Sequence, residues 1–147
     1  MKNNTMLILQ NVDRRERRGV MAALDASQCL IWFDSEGRIV DANPNVQHLL
    51  DRDLGGLTRL THADVIGEAD IAAPHYQKMW GRIRDGLQKN DERSVFNRSG
   101  SEIWCSISYA PIMNDKNQTR RVLAIVIDLS PWAWRPKDNL PPQQPTG

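Results

Sequence analysis

Apolar side chains recur at helical spacing after Pro74. Tyr76, Met79, Trp80, Ile83 and Leu87 stand at i, i+3, i+4, i+7 and i+11, which places them on one face of a helix. Gly86 suits the end of that helix as a cap. A different period governs residues 103–112. Ile103, Cys105, Ile107 and Tyr109 alternate with Trp104, Ser106, Ser108 and Ala110, as they would on the two faces of a strand. Residues 122–127 are continuously apolar, which predicts a central strand covered on both faces.

The first half follows the same logic. Residues 28–33 and 38–42 are β-rich runs separated by Ser35-Glu36-Gly37, a hairpin pattern. Asn43-Pro44 then opens a short helix, with asparagine as N-cap and proline in the first turn; Val46, Leu49 and Leu50 form its apolar stripe. Before the hairpin, residues 13–24 read as a helix capped by Asp13. Val12, Val20, Met21 and Leu24 lie on one side of it, and Arg14, Arg15, Arg17 and Arg18 make a solvated face. Residues 53–74 are broken by Gly55-Gly56, Gly67 and Pro74 into short helical turns. A short strand at residues 93–97 and a turn at Asn114-Asp115-Lys116-Asn117 complete the pattern.

This order predicts an α+β domain: one five-stranded antiparallel sheet of strand order 2-1-5-4-3, with helices on one face and a pocket between them. We divide the chain into an N-terminal flanking helix (1–23), a central domain (24–130) and a tail (131–147) with five prolines. The tail is expected to be extended or disordered. Trp132 and Trp134 within it are read as packing locally or docking a partner.

Composition narrows the class. At 147 residues the chain is long enough for one real core. A formal net charge of +1 gives no electrostatic case for nucleic acid. No apolar run reaches the ~20 residues of a membrane span, and the short run Met6 to Leu9 does not read as a signal peptide. Cys29 and Cys105 have no metal or disulfide spacing and sit in strand-like runs. The expected compartment is cytoplasmic. Catalytic patterns such as GxSxG, HExxH and the P-loop are missing from the sequence. Asp34, Glu36, Asp41 and Asp51 stand at turns or helix ends, where capping accounts for them. The chain is therefore not expected to be an enzyme.

An ordered set of motifs resembles a known family. Ile31-x-Phe33-Asp34-x-x-Gly37-x-Ile39-x-x-Ala42-Asn43 is similar to the opening of a PAS domain. Val65-Ile66-Gly67 and Tyr76-x-x-x-Trp80-x-x-Ile83-x-x-Gly86 resemble its middle, and Phe96-x-Arg98-x-x-x-Glu102-x-Trp104, Tyr109-x-Pro111-Ile112-x-x-Asp115 and Asp128-Leu129-Ser130 its last three strands. The details are closest to PAS sensory domains of bacterial chemoreceptors and energy-taxis sensors. The resemblance implies a PAS fold and a sensory module. Such a module binds a small ligand or cofactor and relays its state through homodimer contacts to a downstream signalling protein or output module. The alternative is a ligand-independent interaction adaptor.

The resemblance also suggests where a cofactor would sit. Haem-binding relatives often take their axial histidine from the region of His75, making it the candidate metal ligand here. His48 and His62 read as surface residues. If a cofactor binds, b-type haem on His75 is expected ahead of FAD. Phe33, Met79, Ile83, Trp104, Ser106 and Ser108 would line the site, a serine hydroxyl facing a bound gas. A flavin would stack on Trp32, Trp80 or Trp104, without the reactive-cysteine motif of light-sensing relatives. Two departures from the family pattern stand out. No output module follows in the sequence, and Glu68-Ala69 replaces a histidine pair common in chemoreceptor-type domains.

Overall fold

A computed structural model describes residues 13–66 and 75–130. Expectations for Met6 to Leu9, Val12, Gly67 to Pro74 and the tail with Trp132 and Trp134 lie outside the described residues. Helix α1 (Arg14–Ser27) is capped as expected, Glu16 donating its N–H to the Asp13 carboxylate at 2.8 Å. It runs three residues further than periodicity indicates, and none of its residues is buried. Strands β1 (Cys29–Asp34) and β2 (Ile39–Ala42) form the hairpin. Three short helices follow: α2 (Pro44–Leu50), α3 (Leu54–Leu57) and α4 (His62–Val65). Helix α5 (His75–Arg84) then leads to β3 (Lys89–Phe96), β4 (Glu102–Met113) and β5 (Thr119–Asp128).

The five strands form one antiparallel sheet in the order β2-β1-β5-β4-β3. Its inner face carries Ile31, Phe33, Ile107, Tyr109, Val122 and Ala124, which pack with Val46, Leu50, Leu57, Val65, Met79 and Ile83 from the helices. Helices therefore cover one face of the sheet, the arrangement expected for a layered α+β domain.

Three expectations need correction. Strand β5 is central but not covered on both faces. Val122, Ala124 and Val126 are buried, Leu123 and Ile125 are half-buried, and Ile127 is 43% exposed. The unbroken apolar run reflects an apolar outer sheet face instead. Leu87 is 56% exposed because α5 stops before it. Gly86 adopts a left-handed φ of 94°, while Gly86 N–H bonds Ile83 O and Leu87 N–H bonds Arg82 O, both at 3.0 Å. This Schellman arrangement ends the helix and turns Leu87 outward. Strand β3 starts at Lys89, well before residue 93, because β4 supplies a long template that pairs Lys89 with Tyr109. Its polar first half resembles the charged edges that discourage sheet extension.

Candidate functional site

The chemistry-bearing centre of the core is a residue expected on the surface. His62 is 2% exposed. It begins a four-residue helix held at both sides. Thr61 N–H donates to the Asp64 carboxylate at 2.9 Å, and His62 N–H donates to Gly37 O at 2.8 Å. Gly37 has φ +86°, and a Cβ placed there would lie 3.3 Å from the Trp80 ring. Its missing side chain thus allows both the tight β1–β2 turn and the packing of α5 beneath it.

These supports drive the imidazole inward among aromatic rings. Phe33 and Trp80 meet it edge-on, with centroids 5.5 and 5.2 Å away. Nδ1 lies 2.9 Å from the Tyr76 hydroxyl and Nε2 lies 2.7 Å from the Tyr109 hydroxyl. A neutral imidazole has one donor and one acceptor nitrogen, so one tyrosine accepts its N–H and the other donates to it. Burial, then the nearby Arg93 cation, lowers the His62 pKa from 6.5 to about 3. The ring is neutral at pH 7. Burial likewise raises Tyr109 well above the ordinary phenol value. Both ring nitrogens are committed, so His62 acts as a polar clamp rather than an available base or metal ligand.

The inner cavity is small. It measures about 20 Å³ and is lined by Ile31, Phe33, His62, Ile107, Tyr109 and other apolar groups. That volume accommodates about one water. A drug-sized ligand or cofactor needs roughly 300 Å³ or more. The residues present therefore do not fit haem or flavin in this structure.

The expected site residues do not converge. Phe33 lines the inner cavity, as anticipated. Met79 and Ile83 are buried against the sheet, Ile83 at 0% exposed, but neither borders that cavity. His75 is exposed and faces an outer cleft, so it is not positioned to ligate a group inside the core. Trp104, Ser106 and Ser108 lie on the opposite face of β4 from Ile107 and Tyr109. Alternation grouped these residues correctly; it could not say that the Ile107–Tyr109 set faces inward. Trp80 is in the aromatic cluster, whereas Trp32 lies on the outer face, paired across strands with Leu123. His48 is exposed on α2, as expected.

Arg93 is a second buried group that sequence reasoning missed. It is 6% exposed and shares the inner side of β3 with Asp91, to which its Nε and Nη2 donate. Nη2 also approaches the Met79 sulfur at 3.7 Å. Nη1 has no hydrogen-bond partner among the described residues. Among those residues, no cluster of three or more His, Cys, Asp or Glu side chains is placed to hold a metal ion, and no helix is long and apolar enough to cross a membrane.

Known proteins share this architecture. The chain is 28% identical over 109 residues to the biofilm dispersion protein BdlA of Pseudomonas aeruginosa. That match covers 74% of this chain and 26% of the relative, so the chain spans about a quarter of the curated relative's length. A domain of a sensory box histidine kinase/response regulator from Geobacter sulfurreducens superposes with a TM-score of 0.65 at 19% identity, covering 79% of this chain and 97% of that one. A light-oxygen-voltage domain probed with a flavin analogue gives 0.64 at 17% identity, covering 75% and 84%. These structural likenesses speak to the fold. A family profile described as the PAS fold matches residues 24–131; with the sheet order and helical layer already established, this chain belongs to the PAS family and carries a PAS sensory domain of the kind found in signal-transduction proteins.

Proposed function

We propose that the chain is a cytoplasmic signal-transduction module that works through protein contacts, rather than an enzyme or a haem carrier. The observation behind this reading is the inner cavity of about 20 Å³ closed by a fully bonded His62. A packed interior of this kind favours the interaction-adaptor reading over an internal cofactor sensor.

The surfaces suit such a relay. The outer sheet face presents Trp32, Leu123, Ile125 and Ile127, with Ile127 exposed. Val20 and Met21 on α1 are exposed as well. A homodimer would cover these apolar groups. Asn43 and Asn45 connect the two regions: their side-chain amides donate to Asp25 O, Ala26 O and Gln28 O at the end of α1. Movement of α1 in a dimer would therefore reach the sheet, and a downstream signalling protein would read it. Similarity to a biofilm dispersion protein supports a place in bacterial behavioural signalling, with chemotaxis as a related setting.

Absorption spectroscopy and light scattering on purified protein test the proposal. We expect no Soret or flavin band, no uptake on titration with haem or FAD, and the mass of a dimer. Ile125→Asp with Ile127→Asp, or removal of residues 1–22, should shift that mass toward monomer. Stoichiometric cofactor uptake overturns the packed-interior reading, and a monomer at all concentrations overturns the relay.

A further inference from the structure

A cleft of about 190 Å³ lies between α5 and β3, outside the inner cavity. Lys78 and Arg82, one helical turn apart, and Lys89 line it from exposed positions; Arg93 lies buried among the lining. His75 stands at its edge. Four fixed cations thus surround one carboxylate, Asp91, which Arg93 already engages. The chain's formal net charge is only +1, so this concentration is local.

We infer that this cleft binds a compact oxyanion, a phosphate or a small dicarboxylate. The independent observation is Arg93. The side chain is 6% exposed, lines the cleft, and holds Nη1 without a hydrogen-bond partner among the described residues. A buried guanidinium N–H left unbonded is costly, and a planar guanidinium matches the oxygens of carboxylate or phosphate. Asp91 meets Nε and Nη2; Nη1, itself shielded from solvent, is the donor left for a ligand that enters the cleft and shifts the side chains covering it. The volume selects size, because drug-sized ligands occupy roughly 300–1,000 Å³. Lys78, Arg82 and Lys89 form a solvent-facing cationic mouth that attracts an anion before Arg93 receives it.

The site also has a route to a response. Met79 lies in the cleft wall, contacts Arg93 through its sulfur and is buried in the core cluster. An anion on Arg93 would act on α5 and the sheet at once. This goes beyond the contact-relay reading and does not depend on it.

The test is calorimetry and thermal unfolding of the full chain with inorganic phosphate and, separately, succinate, at ionic strength matched with sodium chloride. We expect saturable binding of at least one anion and a Tm that rises with its concentration. Lys78→Glu with Arg82→Glu, both exposed, should weaken affinity at least tenfold, and Arg93→Lys at least fivefold. Arg84→Glu, on the same helix but outside the cleft lining, should leave it unchanged. Binding of phosphate alone identifies a phosphorylated ligand, and binding of succinate alone a carboxylate. No saturable binding beyond chloride, or a Lys78/Arg82 variant that binds like wild type, overturns the inference.

Discussion

His62 and Tyr109 meet across the core, Nε2 to phenol oxygen at 2.7 Å, joining two residues 47 positions apart. The bond ties the short helix α4 to the middle of strand β4. Tyr109→Phe removes the hydroxyl and leaves a buried imidazole nitrogen unbonded. Urea unfolding should show a loss of about 1–3 kcal/mol, the usual cost of an unsatisfied buried polar group. An unchanged midpoint would show that the clamp contributes nothing.

The same histidine makes stability depend on pH. Folded His62 stays neutral down to about pH 3, whereas the unfolded imidazole protonates near 6.5. Between those values the unfolded chain binds more protons, so stability rises with pH and is lost as pH falls below 6.5. The slope reaches at most ~1.4 kcal/mol per pH unit. Urea midpoints from pH 7 to 5 should fall in wild type and stay flatter in His62→Gln. Parallel profiles for the two proteins would contradict the assignment.

Ile83 tests the amphipathic face of α5. It is fully buried against the sheet, so Ile83→Asp places an unpaired carboxylate in the core. The expected cost is several kcal/mol, enough to abolish a cooperative thermal transition. A variant that melts like wild type rejects this packing.

Asn43 tests the link between α1 and the hairpin. Its Oδ1 accepts from Leu30 N–H at 3.1 Å and Val46 N–H at 3.2 Å, while Nδ2 donates to Asp25 O and Gln28 O. Asn43→Ala loses a helix cap and several buried bonds at once. We expect about 2 kcal/mol or more of destabilisation, together with faster amide exchange at residues 24–28. Unaltered exchange there would mean that α1 is held by other contacts.

Much of the architecture was legible in local sequence. The helical spacing of Tyr76, Met79, Trp80 and Ile83 identified the buried face of α5, and the Asn43-Pro44 cap marked the start of α2. The alternation in β4 separated two sets of side chains, and the paired hairpins implied the sheet order. These features depend on backbone periodicity and on neighbours a few residues away, which a sequence displays directly.

The site depended on contacts that no local pattern contains. Residues 53–74 read only as short helical turns, and the four residues of α4 carry no periodicity to say that His62 points inward. Its direction is set by Gly37, Tyr76 and Tyr109, 25, 14 and 47 positions away. His75, beside a strongly apolar stripe, lies on the exposed side because Tyr76 and Met79 take the inner positions. Trp104, Ser106 and Ser108 were likewise expected to line the site, but the helices settled on the other face of β4, putting Tyr109 in the core and Ser108 outside it. The sequence alone determined the elements and their order. Only the tertiary structure decided which polar groups entered the core, because their burial depends on partners supplied by distant segments.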